Sequence, residues 1–365
     1  MERRLLTSVV SVALLGLGFS APVGAVAPKP VASLGVVAST TSLGRGERDL
    51  SLTMTTSNVV HCAIAAKPAA AGFPKVDLDC GSGRVVNLRL PVNATAKAMT
   101  YTLSVSATPQ ALAKAPKPVS VKVTQQPAYR VAFYGDSIEH QAYPLAADML
   151  AATGKAVSTA WTFPGMSYCG AWPTIASQLK TFKPELVVLE FTGTSYNDCA
   201  KAYGVDHSTA WFTKYRADLE KGIKALTKAG VQAIQLDQGP ISKVESPWKI
   251  RFRAMFDDLV AAHPGVVTQI TPGTAVEGPG RTWVKYLPCL AAEISAGQCT
   301  GTAGGGDGTI LVRSPDNFHL CAQAPADPFS ATCPDYSSGP VRYAGATVAP
   351  ILTAWGLTPV PVFAP

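Results

Sequence analysis

The sequence predicts two parts, a small all-β sandwich followed by an α/β domain. Three observations carry this. The chain has 365 residues, enough for two domains on the usual prior of roughly 100 to 200 residues each. Residues 28–127 are rich in β-branched residues and short alternating stretches. After "TQQPAY" the pattern changes to apolar strands separated by longer amphipathic stretches, the signature of strands alternating with helices.

The first 25 residues read as an export signal: Arg3 and Arg4, an apolar run from Leu5 to Phe19, then small residues at Val23-Gly24-Ala25. Cleavage is expected after Ala25, since a cut after Ala21 or Ala27 would leave a proline directly behind it. The run is shorter than the roughly 20 apolar residues needed to span a bilayer, and no later segment offers a second span. The expected mature protein is therefore secreted or extracytoplasmic, without a stable membrane span.

In the 28–127 segment, "LSLTMTT", "RVVNLRLPV", "TYTLSVSA" and "VSVKVTQ" alternate apolar and polar residues between turn residues, as strands of a sandwich do. The stretch from "TYTLSVSA" through "VSVKVTQQP" resembles the last strands of bacterial immunoglobulin-like modules. His61 is its one histidine, and a lone histidine points to structure or solvent rather than to chemistry.

From residue 128 to 365 the expected strands are Arg130–Tyr134, Val157–Thr162, Leu186–Phe191, Val231–Leu236 and Val266–Ile270. Helices are expected between them. The clearest is Trp211–Ala229, where Phe212, Tyr215, Leu219, Ile223 and Leu226 recur at helical spacing. Thr271 to Arg313, with "GTAGGGDGT", reads as an irregular insertion of the kind that forms a mobile loop near a site. Tyr343–Trp355 is the last expected helix.

Eight cysteines in an exported chain read as four disulfides. Cys62 with Cys80, Cys289 with Cys299, and Cys321 with Cys333 are local neighbours; Cys169 and Cys199 are left over. No CxxC pair appears, so neither a metal nor another cofactor is expected. Formal charge is +7, from 31 Lys and Arg against 24 Asp and Glu. The excess is spread without a basic block, which argues against a nucleic-acid partner and leaves room for weak association with anionic envelope polymers.

Two segments carry chemistry. In "VAFYGDSIEHQ" an apolar strand runs into Gly135-Asp136-Ser137 and then a helix, which puts Ser137 at the carboxyl edge of an open sheet, where such folds bind ligands, beside helix N–H groups suited to an oxyanion. Far along the chain, Asp316-Asn317-Phe318-His319 follows Arg313 in one short loop. An Asp three residues before a His can reach Nδ1 and leave Nε2 for a serine. His140 follows Ser137 by three residues but has no evident acid partner.

"GDSI" and "SPDNFHL" resemble the first and last blocks of the SGNH, or GDSL-like, hydrolases, over roughly Tyr129 to Leu357. The resemblance implies a three-layer α/β/α sandwich with a five-stranded parallel sheet, a Ser137–His319–Asp316 triad, and an oxyanion hole of the Ser137 N–H, a glycine N–H and an asparagine side chain. Gly165 in "FPGMSYCG" matches the glycine. The asparagine block departs from Gly-x-Asn-Asp: in "FTGTSYNDC", Thr194 holds the expected place if strand register is kept, and Asn197 with Asp198 if the loop bulges after Gly193. A Cys169–Cys199 bridge would tie these two loops together.

The implied activity is a serine esterase or acyltransferase. "GMSYC", "GTSYNDC" and the export signal look most like secreted SGNH domains acting on acylated surface or cell-wall carbohydrate. A lipid or small-ester hydrolase with the same site is the nearest alternative, and a non-catalytic envelope-polymer binding module is the other.

Overall fold

The computed structural model describes residues 29–194, 196–299, 308–321 and 337–358; the expected export signal lies outside them. The first elements are β1 (Ser33–Ala38), β2 (Ser42–Leu43), β3 (Asp49–Ser57), β4 (Val59–Lys67), β5 (Lys75–Leu78), β6 (Val85–Arg89), β7 (Met99–Pro109) and β8 (Val119–Gln125). They form a three-stranded sheet in the order β1-β3-β6 and a five-stranded sheet in the order β2-β8-β7-β4-β5. Strand alternation sends Tyr101, Leu103 and Val105 of β7 inward and Thr100, Thr102 and Ser104 outward. The inward residues meet Leu50, Leu52 and Met54 of β3 and Leu88 of β6 in one apolar core, which also holds Cys62 and Cys80. Those two cysteines are bridged. His61 is exposed on β4.

Four residues after β8 ends, a second architecture begins. Its strands are β9 (Tyr129–Gly135), β10 (Ala156–Thr162), β11 (Leu186–Glu190), β12 (Ala233–Asp237) and β13 (Val267–Ile270). All neighbours are parallel, in the order β10-β9-β11-β12-β13. The expected strands agree to within two residues at each end. β12 starts two residues later than expected because the Val231 N–H closes back onto the Leu226 carbonyl past Gly230 at φ +95°, a helix C-terminal turn that uses glycine's freedom.

Parallel strands need crossovers, and these are α1 (Ser137–Ala152), α2 (Tyr168–Thr181), α3 (Asp198–Lys201), α4 (Thr209–Lys228) and α5 (Pro247–Ala262). Two clusters separate the faces of the sheet. Tyr134, Val187, Leu189, Ile234 and Leu236 pack with α2, α4 and α5; Phe133, Leu186 and Val188 pack with α1 and the last helix. This is a three-layer α/β/α sandwich with a five-stranded parallel sheet, the fold that the SGNH resemblance implied.

The insertion after β13 is more ordered than its composition led us to expect. A 3-10 turn (Pro272–Val276) is followed by short antiparallel pairs, Glu277–Gly278 with Thr282–Trp283 and Tyr286–Pro288 with Thr309–Leu311. Between them lies α6 (Ala291–Ser295). A buried pair holds the insertion down: Arg342 donates from Nε to Glu293 Oε1 at 2.9 Å and from Nη2 to Oε2 at 2.6 Å. Arg342 sits on α7 (Gly339–Ala354), which begins four residues before the expected Tyr343, with Pro340 in its first turn. Residues 300–307, which contain most of "GTAGGGDGT", lie outside the described ones.

Cys169–Cys199 and Cys289–Cys299 are bridged. Cys321 is also disulfide-bonded, and Cys333, its expected partner, lies outside the described residues. Among the described residues no helix is long and apolar enough to cross a membrane.

Candidate active site

The strand order places the site. β9 and β11 are neighbours in the sheet but not in sequence, and their register aligns Gly135 with Glu190. The connections leaving these strands run to opposite faces, opening the crevice in which α/β sheets hold ligands. Ser137 stands there as the first residue of α1.

Asp136 fixes the turn. Its Oδ1 accepts from the Ile138 N–H at 3.1 Å, an N-cap bond, and its Oδ2 accepts from both the N–H and the hydroxyl of Thr192, at 2.8 and 2.6 Å. One buried carboxylate thus binds the turn at Ser137 to the loop after β11. Gly135 is required here on steric grounds. A Cβ at that position would lie 2.4 Å from the Glu139 Cβ and 2.7 Å from the Glu190 carbonyl oxygen.

His319 Nε2 is 2.9 Å from Ser137 Oγ, and His319 Nδ1 is 2.5 Å from Asp316 Oδ2. The Asp316 carboxyl also accepts the backbone N–H groups of Phe318 and His319. Burial acts to raise its pKa, but the bonds from the His319 ring and from these two N–H groups outweigh it and hold the carboxyl well below its ordinary range. Asp316 is therefore ionised at neutral pH, and an ionised acceptor at Nδ1 selects the tautomer whose bare Nε2 faces the serine.

The loop carrying this pair is anchored from below. Buried Arg313 donates to the His319 carbonyl from Nε at 3.2 Å and to the Phe318 carbonyl from Nη2. The Ser314 N–H donates to the same His319 carbonyl at 2.9 Å, and the Leu320 N–H donates to Gln141 Oε1 of α1 at 2.9 Å. His140, the other histidine near the serine, has Nδ1 3.1 Å from the Thr162 hydroxyl, and it does not line the cavity.

That cavity has a volume of about 540 Å³. Ser137 and His319 line it with Gly165 and Thr194, and Tyr196, Trp248 and Phe318 supply aromatic walls. Gly165 has φ +73°. A Cβ there would crowd the Tyr196 ring at 3.2 Å, so the glycine brings bare backbone to the cavity.

Of the two candidates for the third donor, the structure brings only Thr194 to the cavity. Its hydroxyl donates to the Met166 carbonyl at 2.9 Å. Asn197 is occupied elsewhere: its Oδ1 accepts from Ser167 Oγ at 2.7 Å and from the Ala200 N–H at 3.1 Å, capping α3, while Nδ2 points at Met166 Sδ, 3.3 Å away. Neither feature was visible in the motif, because register and capping are decided by the fold.

Beneath the serine lies a group of acids that sequence reading missed. Asp136, Glu139, Glu190 and Asp237 are all fully buried. Glu190 Oε2 accepts the N–H groups of Asp136 and Glu139, both at 3.2 Å, and Asp237 accepts from the Tyr343 hydroxyl at 2.6 Å and the Gly239 N–H at 2.9 Å. Both carboxyl oxygens of Glu139 and Oε1 of Glu190 find no hydrogen-bond partner among the described residues. Burial, reinforced by the neighbouring acids, pushes Glu139 and Glu190 well above the ordinary carboxyl range. Burial also raises Asp237, to about 7, against the lowering pull of its bonds from Tyr343 and Gly239. Among the described residues no group of His, Cys, Asp and Glu is arranged to hold a metal ion.

The chain matches no known family model and no curated protein. It is similar to solved structures of a lipase/acylhydrolase from Enterococcus faecalis (15% identity, covering 64% of this chain and 98% of that one, TM-score 0.38) and of the psychrotrophic esterase EstA from Pseudoalteromonas sp. (13%, 62% and 98%, TM-score 0.38). A third is a catalytic mutant of Axe2, an acetylxylan esterase from Geobacillus stearothermophilus (14%, 40% and 77%, TM-score 0.32).

Proposed function

We propose that the protein is an extracytoplasmic serine ester hydrolase of the SGNH type that removes acyl groups from carbohydrate. The observation that carries this reading is the continuous Asp316–His319–Ser137 chain, at 2.5 and 2.9 Å, opening onto a cavity with aromatic walls. Aromatic faces suit the apolar faces of sugar rings, and the disulfides suit an oxidising compartment.

In the proposed mechanism His319 Nε2 takes the proton of Ser137 as Oγ attacks the ester carbonyl. The tetrahedral oxyanion forms beside the Ser137 N–H, an orphan donor of the first helical turn, with the Gly165 N–H and the Thr194 side chain opposite. His319 returns the proton to the departing alcohol, and the carbonyl is left as an ester on Ser137. Water, deprotonated by the same nitrogen, then releases the acid and restores the serine; a sugar hydroxyl in the place of water would make the reaction an acyl transfer.

The test is covalent labelling. A fluorophosphonate should label the parent on Ser137 and leave Ser137→Ala unlabelled, and the parent alone should release acetate from an acetylated glycan. Labelling of the alanine variant would overturn the assignment.

A further inference from the structure

Among the described residues Lys249 has no counter-ion in the cavity. It is half-buried in the first turn of α5 and lines the cavity with Ser137 and His319. Its Nζ lies over the Phe318 ring, 4.2 Å from the centroid, and 5.6 Å from that of Trp248, and it donates to the Ser242 hydroxyl. Lys249 makes no ion pair among the described residues. Glu245, the acid that acts on it most, is taken by Arg253, which donates to Glu245 Oε2 from Nη1 at 2.8 Å and Nη2 at 2.6 Å, while the Ser242 N–H takes Oε1. Burial lowers the ammonium to about 8, with Glu245 partly opposing, so it is still mostly charged at neutral pH.

Neither folding nor the helix explains this placement. Desolvating an ammonium is unfavourable unless a carboxylate or an equivalent acceptor replaces the lost water, and the first turn is the end of a helix dipole that disfavours a cation. One hydroxyl accepts one of its three donors. The position relative to the chemistry is specific as well. Phe318 packs edge-on against the His319 ring, with centroids 4.9 Å apart, so Lys249, over the Phe318 ring, flanks the histidine side of the cavity. The alcohol of an ester must lie on that side, because His319 protonates it as it leaves. Asp206, the acid lining the same cavity, is paired at 3.4 Å with His207, whose ring stacks on Trp248.

We infer that Lys249 is a specificity-determining residue that pairs with an anionic group on the alcohol part of the ester, so that the substrate class is an acylated acidic sugar, one bearing a carboxylate near the esterified hydroxyl. This rests on the serine-esterase reading, and the experiment separates the two. Turnover of an O-acetyl hexuronate is compared with that of its neutral methyl ester by acetate release, in the parent, Lys249→Met and Lys249→Arg, with p-nitrophenyl acetate as an uncharged reference. The readout is the acid-to-methyl-ester ratio of kcat/KM within each protein, which cancels any general loss of activity.

The parent should favour the acid by about tenfold or more, the size of one charge-assisted contact. Lys249→Met should bring the ratio to one or below, and Lys249→Arg should retain a preference. A parent ratio near one, or a preference that survives in Lys249→Met, overturns the role of Lys249 while leaving the esterase reading standing. A preference for a hemisuccinate over an acetate ester of the same neutral alcohol would place the anion on the acyl side and overturn it too. No turnover of any of these esters, p-nitrophenyl acetate included, would bring down the esterase reading itself.

Discussion

Asp136 Oδ2 accepts two hydrogen bonds from Thr192, one from its N–H at 2.8 Å and one from its hydroxyl at 2.6 Å. Asp136, the residue before Ser137, is thereby fastened to the loop that carries Thr194. The aspartate of "GDS" is in this chain a buried cross-link between the two sides of the crevice, in addition to being the cap of α1.

Replacing Asp136 with alanine should therefore cost stability as well as activity. It removes a helix cap worth about 1 kcal/mol and leaves two buried donors of Thr192 unpaired, each at about 1 to 3 kcal/mol. A loss of roughly 3 kcal/mol or more is expected in urea unfolding. Thr192→Val keeps the backbone bond and should lose about half as much or less. Equal, small losses in the two variants would mean that the carboxylate does not bridge the turn and the loop.

The buried acids predict an unusual pH dependence. Glu139 and Glu190 have their pKa values raised by burial and by neighbouring acids, so above the ordinary carboxyl range the folded state holds protons that the unfolded state has released. Stability must then fall as pH rises, by about 1.4 kcal/mol per pH unit for each such group, until the folded state also ionises. This is opposite in sign to Asp316, whose lowered pKa contributes stability that is lost only on strong acidification. Glu139→Gln keeps the shape and removes one titration. Its urea midpoint should gain on the parent progressively between about pH 5 and 8; parallel curves for parent and variant would show that Glu139 is not a source of the dependence.

Within the proposed triad, losses should be unequal. Ser137→Ala and His319→Ala are each expected to reduce kcat to a similar residual level, since members of one catalytic unit are not additive. Asp316→Asn keeps the backbone acceptor geometry but replaces an ionised oxygen with an amide that can present the wrong partner to Nδ1. A fall of about ten-thousandfold in kcat is the outcome where the wrong tautomer results. The measurement is single-turnover acylation. Nearly unchanged acylation in Asp316→Asn would mean that some other group orients His319.

The parts legible in the sequence are those that short-range pattern encodes. The apolar strand ending in "GDS" and the Asp-His pair three residues apart point to the candidate site, because one turn of chain supplies both members of each relationship. Phe212, Tyr215, Leu219, Ile223 and Leu226 announce α4 because a helix buries one face at its own period. Glu190, Asp237 and Lys249 were not legible. Glu190 and Asp237 simply end apolar strands, and only the parallel register brings them under Ser137. Lys249 reads as one lysine of an ordinary helix, and its meaning comes from Phe318, 69 positions later in the chain and in contact only after folding. The insertion after Thr271 looked structureless because its order comes from two-residue and three-residue pairings and from the buried Glu293–Arg342 contact, which are too short or too distant to leave a periodic signal.

The last prediction concerns the third oxyanion donor. Thr194 lines the cavity, but in the resting structure its one hydroxyl proton goes to the Met166 carbonyl. It must rotate to meet an oxyanion, and the bond it gives up offsets part of what it gains. Thr194→Val should therefore lower the acylation rate by about tenfold to a hundredfold, toward or below the range of about a hundredfold to a thousandfold seen for a donor held ready in advance. Substrate binding should barely change, because the contact strengthens only as charge develops. Asn197→Ala should show the reverse pattern. Its side chain caps α3 and receives Ser167 beside the Cys169–Cys199 bridge, so its removal is expected to cost about 1 kcal/mol of stability with acylation reduced only a few-fold. Single-turnover rates and urea midpoints for both variants distinguish the two roles. A large rate loss in Asn197→Ala with unchanged stability would mean that the loop rearranges on binding and presents the amide after all; near-parent acylation in both would leave the backbone N–H groups to complete the hole.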